Sequence, residues 1–111
     1  FHIPYVHPEL NQALDYSGYI TETFDGGVLQ IGKAMEGDVK FDLPPDHPDE
    51  GQDIAAYYLW LFPNMMFNFY PWGLSVNVVI PVSHNQCRVL YRGYVSDPKL
   101  ASQGAGSVLD T

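Results

Sequence analysis

Apolar and polar residues alternate with a period of two through most of this chain. Between Gly18 and Phe24, Tyr19, Thr21 and Thr23 fall on one side and Ile20, Glu22 and Phe24 on the other. Asp25-Gly26-Gly27 interrupts the pattern and Val28 to Ala34 resumes it, which predicts a β-hairpin. Ile54 to Phe62 is a continuous apolar and aromatic run stopped by Pro63-Asn64. Its length and β-branched start favour a strand, although periodicity leaves a short helix open. Met65 to Tyr70 reads as its partner, and Pro71-Trp72-Gly73 as the next turn. Leu74, Val76, Val78, Ile80 and Val82 then share one face, opposite Ser75, Asn77 and Val79. Ser83-His84-Asn85-Gln86 reverses the chain, after which Cys87, Val89, Tyr91, Gly93 and Val95 oppose Arg88, Leu90, Arg92 and Tyr94. Asp97-Pro98 opens a short helix, because an aspartate can cap free amides and proline is tolerated at the first helical position; Gly104-Ala105-Gly106 interrupts it. The expectation is a meander of five or six antiparallel strands with little helix, one sheet edge and one sheet face needing cover.

One stretch breaks this pattern. Asp42 to Asp53 is rich in proline and acidic residues and has no apolar period, so it reads as a solvated loop without a function of its own. It carries much of the chain's charge, which totals -8 from 13 acidic and 5 basic residues and excludes a general binder of phosphate backbones. A hydrophobic content of 46% in 111 residues supplies the core of one domain, or of part of one. No apolar run approaches the roughly 20 residues of a membrane helix, so neither nucleic acid nor membrane is an expected partner. The single cysteine, Cys87, rules out an intrachain disulfide and fits a reducing, cytoplasmic setting. It begins a strand beside Val89 and Tyr91, where a buried, inert thiol is expected. No phosphate-binding glycine loop and no Ser-His-Asp arrangement is present in the pattern; His47, in the acidic loop, and His84, in a polar turn, read as solvated.

His2 and His7 are the residues with the most chemistry to offer. On a regular helix they would lie about 140° apart, too far round to converge on one ion. Pro4 restricts Ile3 toward an extended conformation, so the chain must leave any helix that carries His2 before it reaches His7. A bent segment can bring two imidazoles to one point, and two histidines with one carboxylate suit Fe(II) in oxygenases. Taken alone, two histidines near a terminus are more often solvated than ligating.

The wording around them changes that balance. Phe1-His2-Ile3-Pro4-Tyr5-Val6-His7-Pro8-Glu9-Leu10 resembles the iron-binding segment of Rieske-type non-haem iron ring-hydroxylating oxygenase alpha subunits, in which an aromatic residue precedes a His-x4-His pair. Leu61 to Pro71, Asn77 to Val82 and Cys87-Arg88-Val89 are similar to the following strands of the same catalytic domain, in the same order, closest to its choline monooxygenase-like branch. The resemblance implies an α+β fold, an antiparallel curved sheet of helix-grip (Bet v1/START-like) type, mostly strands here. It implies that residues 1–111 are a partial C-terminal catalytic domain, with the Rieske domain and the final helix absent. His2 and His7 would be ligands of a mononuclear Fe(II), and Ile3 would lie beside the substrate. The 2Fe-2S cluster, held by two cysteines and two histidines, would belong only to the parent protein. The third iron ligand of the family is an aspartate on a late helix, for which Asp110 is a poor substitute. Dioxygen, a small organic substrate and a separate reductase or ferredoxin would be the partners, in a homotrimer.

Two function classes therefore stand. One is part of an oxygenase that uses dioxygen and NAD(P)H-derived electrons to hydroxylate or demethylate an aromatic or quaternary-amine substrate, the isolated segment being inactive. Trp60, Phe67, Phe69, Tyr70 and Trp72 are candidates for an aromatic cage around such a cation, and equally for core packing. The other class is a non-enzymatic small-ligand module built on the same sheet.

Overall fold

The computed structural model describes residues 3–37 and 39–100. Two short helices, α1 (Ile3–Val6) and α2 (Pro8–Ala13), lead into six strands: β1 (Leu14–Phe24), β2 (Gly27–Ala34), β3 (Ile54–Leu61), β4 (Met65–Tyr70), β5 (Gly73–Ser83) and β6 (Gln86–Val95). All neighbours are antiparallel and the spatial order is the chain order, β1-β2-β3-β4-β5-β6, so the sheet is an open meander with β1 and β6 as edges. The six-stranded antiparallel meander with little helix is what alternation predicted, and the mostly-strand α+β arrangement is what the resemblance implied. The Ile54 run is a strand, which closes the helix alternative. β1 begins four residues earlier than the alternation alone marks, and its register against β2 shifts between Asp15 and Ile20.

The turns follow from their residues. Gly26, at φ +84°, closes the β1–β2 hairpin in a conformation that a side chain would strain. The Phe62 amide is tied to the Gly26 carbonyl at 2.7 Å, and Asn64 clamps β5 by donating its side-chain amide to the Val79 carbonyl at 2.8 Å. Trp72 offers its carbonyl to both the amide and the hydroxyl of Ser96, at 2.8 and 3.0 Å. The Asp97 carboxylate does accept the Lys99 amide, at 2.9 Å, but the described helix is a single 3-10 turn, Pro98–Leu100; Gly104 to Gly106 lie outside the described residues.

Cross-strand register sorts the side chains into two faces. One row runs Glu22, Leu29, Leu59, Phe67, Val76, Arg92, and its neighbours Ile20, Ile31, Tyr57, Phe69, Leu74, Tyr94 and Phe24, Gly27, Leu61, Met65, Val78, Leu90 share that side. This is the apolar face. The opposite side carries Tyr58 paired with Gln30 and Asn68, Ser75 paired with Asn68 and Gly93, and Asn77 paired with Met66 and Tyr91. We call it the tyrosine face.

The best-covered part of the sheet lies at the start of β3, where Ile54 and Ala56 are fully buried and Ala55 and Ile31 nearly so. The 35–53 loop makes this core, and the expectation of a merely solvating connector is overturned. Its backbone joins the strands through Ala34 N–H to the Asp53 carbonyl and Phe41 N–H to the Ile54 carbonyl, both 2.8 Å. Phe41 and His47 pack on the Tyr57 ring at 5.4 and 6.3 Å, and the Tyr57 hydroxyl donates to the Asp49 carboxylate at 2.8 Å. His47 is accordingly half-buried rather than solvated, its Nδ1 accepting the Asp49 amide at 3.0 Å. The reason lies in Phe41 and Leu43, apolar residues that a proline-rich stretch can still fold inward. Cys87 is exposed, contrary to expectation, because it sits on the edge strand β6.

Candidate functional site

The N-terminal segment bends where two imidazoles would need it to, but at a different proline from the one expected. Pro4 lies inside the first turn of α1, where a missing amide proton costs no hydrogen bond, and Ile3 is helical rather than extended. The break falls at His7. Pro8 disfavours helical backbone at the residue before it and is itself the first residue of α2. The His7 carbonyl then accepts the Asn11 amide at 3.0 Å, so His7 ends one helix and starts the next, exposed to solvent. His2 lies outside the described residues, as does Asp110. Among the described residues no three histidine, cysteine, aspartate or glutamate side chains converge as a metal site. An exposed imidazole at a helix break, with a second histidine five residues earlier, nevertheless suits two of the donors an Fe(II) site needs.

The second locus is the tyrosine face. Tyr19 stacks on Tyr58 (6.2 Å between centroids, 5° between planes), Tyr58 meets Tyr70 edge to face (5.9 Å, 80°), and Tyr70 stacks on Trp72 (5.0 Å, 3°). Burial, first, and then the neighbouring Tyr70 and Tyr19 hydroxyls hold Tyr58 far above the usual tyrosine range. Burial also raises Tyr70, with Tyr91 adding to the effect, while the hydrogen bond from Tyr58 opposes it. Beside them Asn68 donates to the Ser75 hydroxyl at 3.0 Å, and Ser75 is buried. Ser75 and Asn68 thus pair their polar groups between apolar strand neighbours.

Of the aromatic residues considered for a cage, the register separates two groups. Tyr70 and Trp60 lie on the tyrosine face with Trp72 stacked beside Tyr70, whereas Phe67 and Phe69 stack on each other on the apolar face. The five cannot surround one ligand, because successive strand residues point to opposite sides of the sheet. Tyr19, Tyr58, Asn68 and Ser75 were not singled out by sequence reasoning. Their signal was the polar interruption itself: Asn68 inside Met65 to Tyr70, and Ser75 between Leu74 and Val76.

A helix break at His7 leads into an antiparallel meander with one polar, tyrosine-rich face. The profile of the family described as ring hydroxylating alpha subunit (catalytic domain) matches residues 1–109. The chain belongs to that family. Among its relatives, choline monooxygenase, chloroplastic, from Arabidopsis thaliana is 32% identical over 108 residues, covering 95% of this chain and 23% of the relative. The protein of the same name from Beta vulgaris is 24% identical over 101 residues, covering 90% of this chain and 21% of its own. The chain thus spans between a fifth and a quarter of the length of these relatives. No described helix is long and apolar enough to cross a membrane.

Proposed function

We propose that residues 1–111 form part of the mononuclear iron catalytic domain of a Rieske-type oxygenase, with the meander contributing strands to a helix-grip sheet. The observation that carries this reading is the family match over 1–109, which includes the His-x4-His segment that Pro8 bends at His7. His2 and His7 would hold the iron, and the remaining donor would come from outside the described residues. Bound there, Fe(II) supplies the redox chemistry that activates dioxygen, with electrons from NAD(P)H arriving through a reductase or ferredoxin and a 2Fe-2S cluster elsewhere in the parent protein. The chain's own residues supply geometry. His7 would offer a ring nitrogen from the helix break, Ile3 lies in the turn directly after His2, and the tyrosine face would offer polar groups to an organic substrate. The relatives' names favour a quaternary amine over an aromatic acid, with hydroxylation or demethylation as the outcome. A homotrimer in a reducing compartment, cytoplasmic or plastid, is the setting this implies. Family membership favours this reading over a non-enzymatic module.

The test is iron content in the full-length protein. His2→Ala and His7→Ala are each expected to lower bound iron at least about tenfold, more than loss of an outer-shell partner does. His47→Ala and His84→Ala leave it unchanged. Iron retained in both His2→Ala and His7→Ala overturns the assignment of these ligands.

A further inference from the structure

The ring contacts of the described residues are of two chemical kinds. Those of Phe41 and His47 with Tyr57, of Trp60 with Phe62 and of Phe67 with Phe69 each include a phenylalanine or a histidine. The others join Tyr19, Tyr58, Tyr70 and Trp72 into one unbroken series, with centroid steps of 6.2, 5.9 and 5.0 Å. Strand parity builds it: Tyr70 lies two residues beyond Asn68, the partner of Tyr58, and is therefore its diagonal neighbour on the same face. Phenol and indole rings give up a single electron far more readily than a phenyl ring, so this series offers a continuous path for one-electron transfer. Its ends are placed differently. Tyr19 stands on β1, the strand that follows directly from the helices on either side of His7. Trp72 sits half-buried in the turn between β4 and β5, its carbonyl held by the Ser96 amide and hydroxyl.

We propose that Tyr19, Tyr58, Tyr70 and Trp72 form an electron relay that carries a stray oxidising equivalent away from the histidine segment to the turn at Trp72. The assignment rests on the oxygenase reading for its oxidant: dioxygen reduced with no organic substrate at hand leaves a strong one-electron oxidant beside the residues that bind the metal. That oxidant takes one electron from Tyr58, directly or through the Tyr19 ring stacked on it, and the Tyr58 hydroxyl proton passes to water. One electron from Tyr70 and a proton from water restore the Tyr58 O–H bond, and Tyr70 releases its own hydroxyl proton. Trp72 refills Tyr70 in the same way and loses its indole N–H proton. A soluble reductant of the ascorbate class then supplies one electron and one proton to Trp72. The protein ends unchanged, and the net transfer runs from that reductant to the oxidant.

Illumination of the full-length protein in air with tris(bipyridine)ruthenium(II) and persulfate, with neither substrate nor reductant, tests the path without turnover. Peptide mass spectrometry reads the oxygen added at Trp72, and electron paramagnetic resonance of frozen samples reads the kind of radical. Tyr70→Phe keeps the ring and removes the oxidisable phenol, so oxidation at Trp72 is expected to fall several-fold. Trp72→Phe is expected to leave a longer-lived phenoxyl signal, and Tyr94→Phe, on the opposite face, changes neither readout. Equal oxidation of Trp72 in the wild type and in Tyr70→Phe overturns the relay. A second arm exposes the iron-loaded, ascorbate-reduced protein to dioxygen without substrate. There Tyr70→Phe is expected to accumulate several-fold more oxidation in the peptide carrying His2 and His7, and equal damage in the wild type overturns the protective role. A full-length protein that binds no iron yet shows the Trp72 pattern under illumination sinks the oxygenase reading and leaves the electron path standing; bound iron with unchanged Trp72 oxidation does the reverse.

Discussion

At the scale of single residues, the structure stores its polar chemistry in tyrosines. Burial is the largest cause holding Tyr57, Tyr58 and Tyr70 above the ordinary tyrosine value near 10.0; at Tyr57 the hydrogen bond to Asp49 and that carboxylate's charge add to it. A phenol whose folded pKa is raised stabilises the fold fully below the unfolded value, and that stability drains as pH climbs above it, because the unfolded chain loses the proton first. Unfolding free energy is therefore expected to be flat through neutral pH and to fall from about pH 10 upward. Denaturant titrations at a series of alkaline pH values, followed by the ultraviolet absorbance of tyrosinate, check it. Tyr58→Phe should make the decline shallower. A decline of unchanged steepness in that variant would mean that Tyr58 is not held neutral by its surroundings. Tyr57→Phe is a separate case, since it also removes the hydroxyl that Asp49 accepts and so unlatches the 35–53 loop. We expect it to cost about 1 kcal/mol at neutral pH, the usual worth of one such bond.

At the scale of elements, two glycines set how closely strands approach, for reasons that differ from the conformational role of Gly26. A Cβ on Gly73 would run into the Tyr94 carbonyl oxygen of β6, and one on Gly27 would come within 2.6 Å of the Trp60 carbonyl oxygen and against the Phe24 ring. The two carbonyl oxygens are backbone and cannot swing away, whereas the Phe24 ring can. Gly73→Ala is expected to destabilise by about 3 kcal/mol, the upper part of the overpacking range. Gly26→Ala, with open space around its Cβ but φ at +84°, should cost only about 1 kcal/mol. Urea midpoints of the two variants measured side by side check the order, and a Gly26→Ala protein less stable than Gly73→Ala would reverse the argument. The elements also show what a sequence displays and what it hides. Strand faces were legible because period-two alternation is local, and the register puts Leu74, Val76 and Val78 on one side and Ser75 and Asn77 on the other, as alternation alone does. The helix break at His7 was legible in kind, from proline, yet misassigned to Pro4 because the first helical turn tolerates proline where the position before Pro8 does not tolerate helix. The inward fold of the 35–53 loop was illegible. Its contacts depend on Phe41 and Asp49 meeting Tyr57, and no spacing rule links a loop residue to a strand residue. The proposed cage dissolved for the opposite reason, since parity within β4 already separates Phe67 and Phe69 from Tyr70.

At the scale of the whole molecule, both faces of the sheet leave large apolar side chains in solvent. On the tyrosine face Trp60, Tyr91 and Val89 are exposed by between 38% and 53%, and among the described residues the apolar face receives cover near Tyr57, where the 35–53 loop lies. Away from that loop Phe24, Phe69, Ile80, Leu90 and Tyr94, which share the apolar face, are exposed by between 36% and 56%. The middle of the face is closed only at its two edges by charge, Glu22 on β1 and Arg92 on β6, residues that stand at opposite ends of one registered row. Charges at both edges discourage lateral strand addition while leaving the centre adhesive. Residues 1–111 produced alone should therefore bind a hydrophobic dye and self-associate. Leu90→Lys together with Phe69→Lys should move their mass in solution toward that of a single chain, because both positions lie on the exposed apolar rows and neither contributes to the tyrosine face. In the full-length protein the same pair of substitutions is expected to act in the other direction and lower the thermal midpoint wherever further chain packs on this face, since a covered face cannot hold two unpaired ammonium groups cheaply. Light scattering on the segment and thermal unfolding of the full-length protein separate the two effects. A segment that is already monomeric and dye-silent would show that the apolar face closes on itself without further cover.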